Sequence, residues 1–103
     1  MAFTGNEGEE FSLETAAAWT ANYRNANPDL RKGHFFGKTN LAKVLAQTNC
    51  VGLRMYYALD DDGVQQMIIV GVDANQNDLY EGIILERGSP CPPYCDSGES
   101  PLC

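Results

Sequence analysis

The chain has 103 residues, with seven basic side chains against fourteen acidic ones and a formal net charge of −7. That length points to one domain with a small core, and the acidic balance argues against a nucleic-acid partner, whose phosphates need a basic face. Hydrophobic content of 44% and charged content of 20% are those of an ordinary globular domain, and no apolar run approaches the roughly 20 residues of a membrane helix, so no membrane insertion is expected.

The first fifteen residues hold four Glu and no Lys or Arg. They show no signal-peptide pattern, and a cytoplasmic location is the expectation. Residues 1–10 are Gly, Glu and Asn around one Phe, too polar to bury much, and are expected to be disordered. A single α+β domain is expected over 11–88. Ser12 is a good helix N-cap and Glu14 suits the positive end of the helix dipole. Ala16, Trp19 and Tyr23 recur at helical spacing, and Asn27-Pro28 ends the run. The spacing predicts a helix over Leu13–Ala26, with Trp19 as its core anchor.

Pro28–Lys38 reads as a loop with Phe35 and Phe36 at its centre, one of which should insert into the core to avoid an exposed apolar patch. Thr39 or Asn40 caps a short second helix ending near Thr48-Asn49, with Leu41, Val44 and Leu45 on one face. The basic residues Arg24, Arg31, Lys32, Lys38, Lys43 and Arg54 face only Asp29 as an acidic neighbour in sequence; they read as a solvated surface rather than a ligand patch.

Val51–Val72 is the centre of the chain. In Val51–Leu59 the side chains alternate, with Leu53, Met55 and Tyr57 on one face and Arg54 and Tyr56 on the other. Asp60-Asp61-Asp62-Gly63 is a turn between two apolar runs, a hairpin signal. Met67-Ile68-Ile69-Val70 is continuously apolar and reads as a central strand, and Gly82–Leu85 supplies a third. The expected fold is two N-terminal helices on a mainly antiparallel three- to four-stranded sheet. The expected core is Leu13, Ala16, Trp19, Tyr23, Phe35 or Phe36, Leu41, Val44, Leu45, Leu53, Met55, Tyr57, Ile68, Val70, Ile83 and Leu85.

Residues 89–103 hold three of the four cysteines and four of the five prolines and are expected to be an irregular tail. Cys91, Cys95 and Cys103, with Cys50, suggest a four-thiolate zinc site, since zinc takes tetrahedral thiolates with paired ligands a few residues apart. A Cys91–Cys95 disulfide and separate free thiols stay open beside it. Asp73-x-Asn75-x-Asn77 opens like a calcium loop, but Asp78 and Ile84 stand where such a loop needs Gly and Glu, so a plain turn is expected. His34, the one histidine, has no orienting partner for a dyad with Cys50. Arg54 and Tyr56 mark a possible interaction face, since such side chains are enriched at interfaces.

The stretches ETAAAWTANYR, HFFGK, VGLRMYYALDDDG, VGVDANQND and ERGSPCPPYC together resemble a family of small bacterial proteins with a C-terminal CPxxC tail. No activity is established for that family, so the resemblance implies a bacterial single-domain protein and no site residues. The functional expectation is a non-catalytic interaction module with a protein partner or a second copy of itself and no cofactor. The alternative is a zinc-binding or redox-responsive protein acting through the C-terminal cysteines.

Overall fold

Among the described residues, seven elements follow one another: α1 (Leu13–Ala26), β1 (Gly33–Phe35), α2 (Lys38–Leu45), β2 (Cys50–Leu59), β3 (Gln65–Asp73), β4 (Ile84–Leu85) and β5 (Ser89–Cys91). The computed structural model describes residues 2–103; Met1, part of the segment expected to be disordered, lies outside them. The fold is α+β, with a three-stranded antiparallel sheet ordered β2-β3-β4 and a two-stranded antiparallel sheet of β1 and β5. The chain divides into two compact units. One holds the N-terminal residues through Glu7 and Phe36–Gly88; the other holds Gly8–Phe35 and Ser89–Cys103.

The first unit is built on the β2–β3 hairpin. Its register pairs Leu53 with Gly71, Met55 with Ile69 and Tyr57 with Met67 on one face, and Arg54 with Val70 and Tyr56 with Ile68 on the other. The turn follows from its side chains. Asp60 Oδ1 accepts the amides of Asp62 and Val64 at 2.9 Å each, and Gly63 takes φ 79°. The turn after β3 repeats this design. Asp73 Oδ1 accepts the amides of Asn75 and Asn77, and Gln76 takes φ 71°. Each is a three-residue loop closed by a left-handed residue, a common hairpin solution.

Helix α2 lies against β2 and β3. It begins at Lys38 with Gly37 as N-cap and no side-chain cap, one turn or less before the expected cap residues. Val44 is fully buried, and Ile69, Val70 and Val72 are the other buried hydrophobics among the described residues. Burying one such side chain contributes about 1.5–3 kcal/mol. The expected core on β2 is corrected here: Met55 and Tyr57 are exposed, at 55% and 90%. The reason is reach. An eight-residue helix is about 12 Å long, whereas a ten-residue strand is about 33 Å. The Gln47 side chain just beyond α2 meets Gly71, opposite Leu53, so the helix covers that end of β2 and leaves the Tyr57 end bare. Leu45 and Ile83 are also more exposed than expected.

In the second unit, α1 has the expected bounds. Ser12 Oγ accepts the Thr15 amide at 3.1 Å, and the Asn27 amide donates to the Tyr23 carbonyl at 2.9 Å. None of its residues is buried. Trp19, the expected anchor, is 60% exposed and stacks obliquely on Phe11, with ring centroids 4.9 Å apart. Leu13, Tyr23 and Phe35 are exposed too. Within this unit the only strands are three residues long, which offers a helix no broad apolar face. Gly33–Phe35 and Ser89–Cys91, expected to be loop and irregular tail, pair as Gly33 with Cys91, His34 with Pro90 and Phe35 with Ser89. Pro90 is tolerated because both strands of a two-stranded sheet are edges. Arg24 Nη1 donates to the Leu102 carbonyl at 2.8 Å, which fastens the C-terminal segment to α1.

Candidate functional site

Arg54 and Tyr56, expected to mark an interaction face, meet at one carboxylate. The alternation of β2 puts both on the same face of the sheet. Arg54 Nη1 donates to Asp78 Oδ1 and the Tyr56 hydroxyl donates to Asp78 Oδ2, each at 2.5 Å. Arg54 also reaches the Gln76 carbonyl through both terminal nitrogens, and its guanidinium stands 5.8 Å from the centre of the Phe3 ring. The Tyr56 hydroxyl first, and then the Asp78 carboxylate, raise the Arg54 pKa above its usual range. Asp78 is placed by its bridge to Val72, and Phe3 by the hydrogen bond its amide donates to the Ala74 carbonyl at 2.8 Å. The polar groups here satisfy one another and form a latch that closes the second turn onto β2.

The exposed apolar surface lies beside that latch. Met55, Tyr56, Tyr57 and Leu59 are all more than 40% exposed, and β2 is an outer strand. Because β2 pairs with β3 on one side only, its other side presents backbone N–H and C=O groups along an edge. Met55 and Tyr57 have the alternation of core residues, yet both are exposed. The signal that distinguishes the two readings is an edge position, and strand order is not written in local periodicity. Asp78 has the local pattern of a turn residue; its partners are 22 and 24 positions away in sequence.

The cysteines do not form one cluster. Cys91 and Cys95 are joined by a disulfide, with Cα atoms 4.6 Å apart. The Tyr94 amide, within that loop, donates to the carbonyl of Pro90 just before it at 2.9 Å. Cys103 is a free, exposed thiol and Cys50 a free, half-buried one. The Cys50 thiol donates to the Gly52 carbonyl at 3.2 Å. Among the described residues, no group of three or more His, Cys, Asp or Glu side chains is placed to hold a metal ion. His34 Nε2 lies 3.5 Å from Arg31 Nη1, in the other unit from Cys50.

Clefts open on the surface at two places among the described residues. One, of about 380 Å3, lies beside the hairpin turn between Asp60, Asp61, Glu86 and Arg87. The other, of about 540 Å3, lies by the disulfide between Phe35, Tyr94 and Asp96. Neither is lined by His34 or Cys50. No helix among the described residues is long and apolar enough to cross a membrane. No family model, curated protein or solved structure matches the chain.

Proposed function

We propose that this protein is a non-catalytic interaction module that takes up an extended protein segment along the outer edge of β2. The observation that carries the reading is the coincidence of an outer strand with exposed Met55, Tyr56, Tyr57 and Leu59. An added strand would find hydrogen bonds along the backbone and specificity in the side chains on either face. Solvent-exposed aromatic and Met side chains are what interface centres are enriched in. The test is binding of the full chain to a displayed library of extended peptides, repeated with Tyr57→Lys. Peptides that enrich on the native chain and lose at least tenfold in affinity on the variant are the expected result. An absence of enrichment, or binding indifferent to Tyr57, would count against it.

A second reading is favoured by the Cys91–Cys95 disulfide: a redox-responsive segment. Cys91 is itself a β5 residue opposite Gly33, and its carbonyl accepts the Lys32 amide at 2.6 Å. The state of the disulfide therefore bears on the β1–β5 pairing. Disulfides persist in oxidising compartments, so this reading replaces the cytoplasmic expectation with an oxidising one. Thiol accounting by mass, described in the Discussion, tests it.

A further inference from the structure

We infer that the cleft beside the Cys91–Cys95 disulfide is a binding site for an alkylammonium group. Phe35, Ser89, Tyr94, Cys95 and Asp96 line it. All five belong to the second compact unit, so the site is independent of the β2 edge. Strand alternation builds it. Gly33 pairs with Cys91 and Phe35 with Ser89, and residues opposite each other project from the same face. One face of the β1–β5 ribbon therefore carries Phe35, Ser89 and the disulfide. On that face Gly33 leaves open space, since an added Cβ would meet nothing within 4 Å. His34 and Pro90 take the opposite face, and Arg31 Nη1 lies 3.5 Å from His34 Nε2. No basic residue lines the cleft.

The walls supply the chemistry. Phe35 and Tyr94 are 66% and 68% exposed. Their rings do not pack on each other; among the described residues the close aromatic pair is Phe11 with Trp19. An exposed ring attracts a cation to its face, and an ammonium carried on alkyl groups adds apolar contact. Asp96 is the one charged residue lining the cleft. Its Oδ2 accepts the Gly98 amide at 2.9 Å and the Ser100 amide at 3.2 Å. These bonds hold the carboxylate in place and leave Oδ1 without a partner in the chain among the described residues. An anion would be repelled by Asp96 and by the net charge of −7. A hard metal ion needs six or more oxygen ligands, and a single carboxylate between two aromatic walls does not supply them. The volume, about 540 Å3, lies in the range of small-ligand sites.

NMR titration of the full chain tests this with three probes: choline, its neutral isostere 3,3-dimethylbutan-1-ol, and Nα-acetyl-lysine methylamide. The expected result is a saturable shift of the Phe35 and Tyr94 ring signals with an ammonium probe, at a Kd on the order of millimolar. The neutral alcohol should bind at least about fivefold more weakly, because it lacks both the ring attraction and the ion pair. Whichever ammonium probe binds more tightly identifies the source, a free quaternary ammonium or the lysine side chain of a peptide. Asp96→Asn keeps an acceptor for the Gly98 and Ser100 amides and removes the charge. It should weaken ammonium binding about two- to fivefold, the usual worth of an exposed ion pair, and leave the alcohol unchanged. Tyr94→Leu keeps an apolar wall without the ring and should weaken the ammonium probes more than the alcohol. No saturable shift with either ammonium probe, equal binding of the alcohol, or ammonium binding that neither substitution weakens would overturn the proposal.

Discussion

The Tyr56 hydroxyl and Asp78 are 22 residues apart in sequence and 2.5 Å apart in space. This contact ties the middle of an outer strand to the turn that follows the central one. Asp78→Asn keeps the shape of the side chain but removes the charge that both Tyr56 and Arg54 use. The expected effect of Asp78→Asn is a loss of about 1 kcal/mol, the usual worth of one net hydrogen bond. Thermal unfolding measures it. Tyr56→Phe in the Asp78→Asn background should then cost almost nothing, because partners in one network are not additive. Equal costs in both backgrounds would show that the hydroxyl acts elsewhere.

Gln47 joins α2 to the segment before β4. Its Nε2 donates to the Val44 carbonyl and its Oε1 accepts the Ile83 amide, both at 2.9 Å. Gln47→Ala takes one donor from the Val44 carbonyl, which keeps the Gln47 backbone amide, and leaves the Ile83 amide without its acceptor; it is expected to lower stability by about 1–2 kcal/mol. The Ile83 amide should exchange faster in the variant, while amides in the middle of β3 follow only the global change. Unaltered Ile83 exchange would contradict the contact.

Gln76 and Gly63 hold the same place in two similar turns, with φ of 71° and 79°. A side chain at such a φ costs roughly 1–2 kcal/mol, partly offset because Gly has more freedom to lose on folding. Gln76→Gly should therefore stabilise the chain by up to about 1 kcal/mol, and it keeps the backbone carbonyl to which Arg54 donates. Gly63→Ala should destabilise it by about 1 kcal/mol for the same reason with the sign reversed. Chemical denaturation of both variants checks the pair; a shift in the same direction would refute the argument.

The four cysteines should divide into three kinds of behaviour. Under denaturing conditions without reductant, alkylation is expected to modify Cys50 and Cys103 only, with Cys91 and Cys95 protected as a disulfide. On the folded chain Cys103 should react fast and Cys50 slowly, following their exposure. Four reactive thiols, with zinc released on denaturation, would instead support the metal-binding alternative. The loop between Cys91 and Cys95 is short, so replacing both by Ser should cost no more than about 2 kcal/mol.

Much of the architecture was determined by residues close together in the chain. Ser12 and Asn27 bound α1 because a helix end is satisfied by groups within one turn of it. The alternation of Val51–Leu59 and the Asp60–Gly63 turn define the hairpin because strand period and turn chemistry each act over two to four residues. The tertiary structure alone decided which of those side chains are buried. Trp19, Met55 and Tyr57 have the spacing of core residues, yet burial depends on what lies opposite, and α2 is too short to reach the Tyr57 end of β2. It also decided the partners. Asp78 meets Arg54 and Tyr56, and Gly33–Phe35 pairs with Ser89–Cys91. Contacts between residues far apart in sequence come from chain closure and strand order, which no local pattern of residue types encodes.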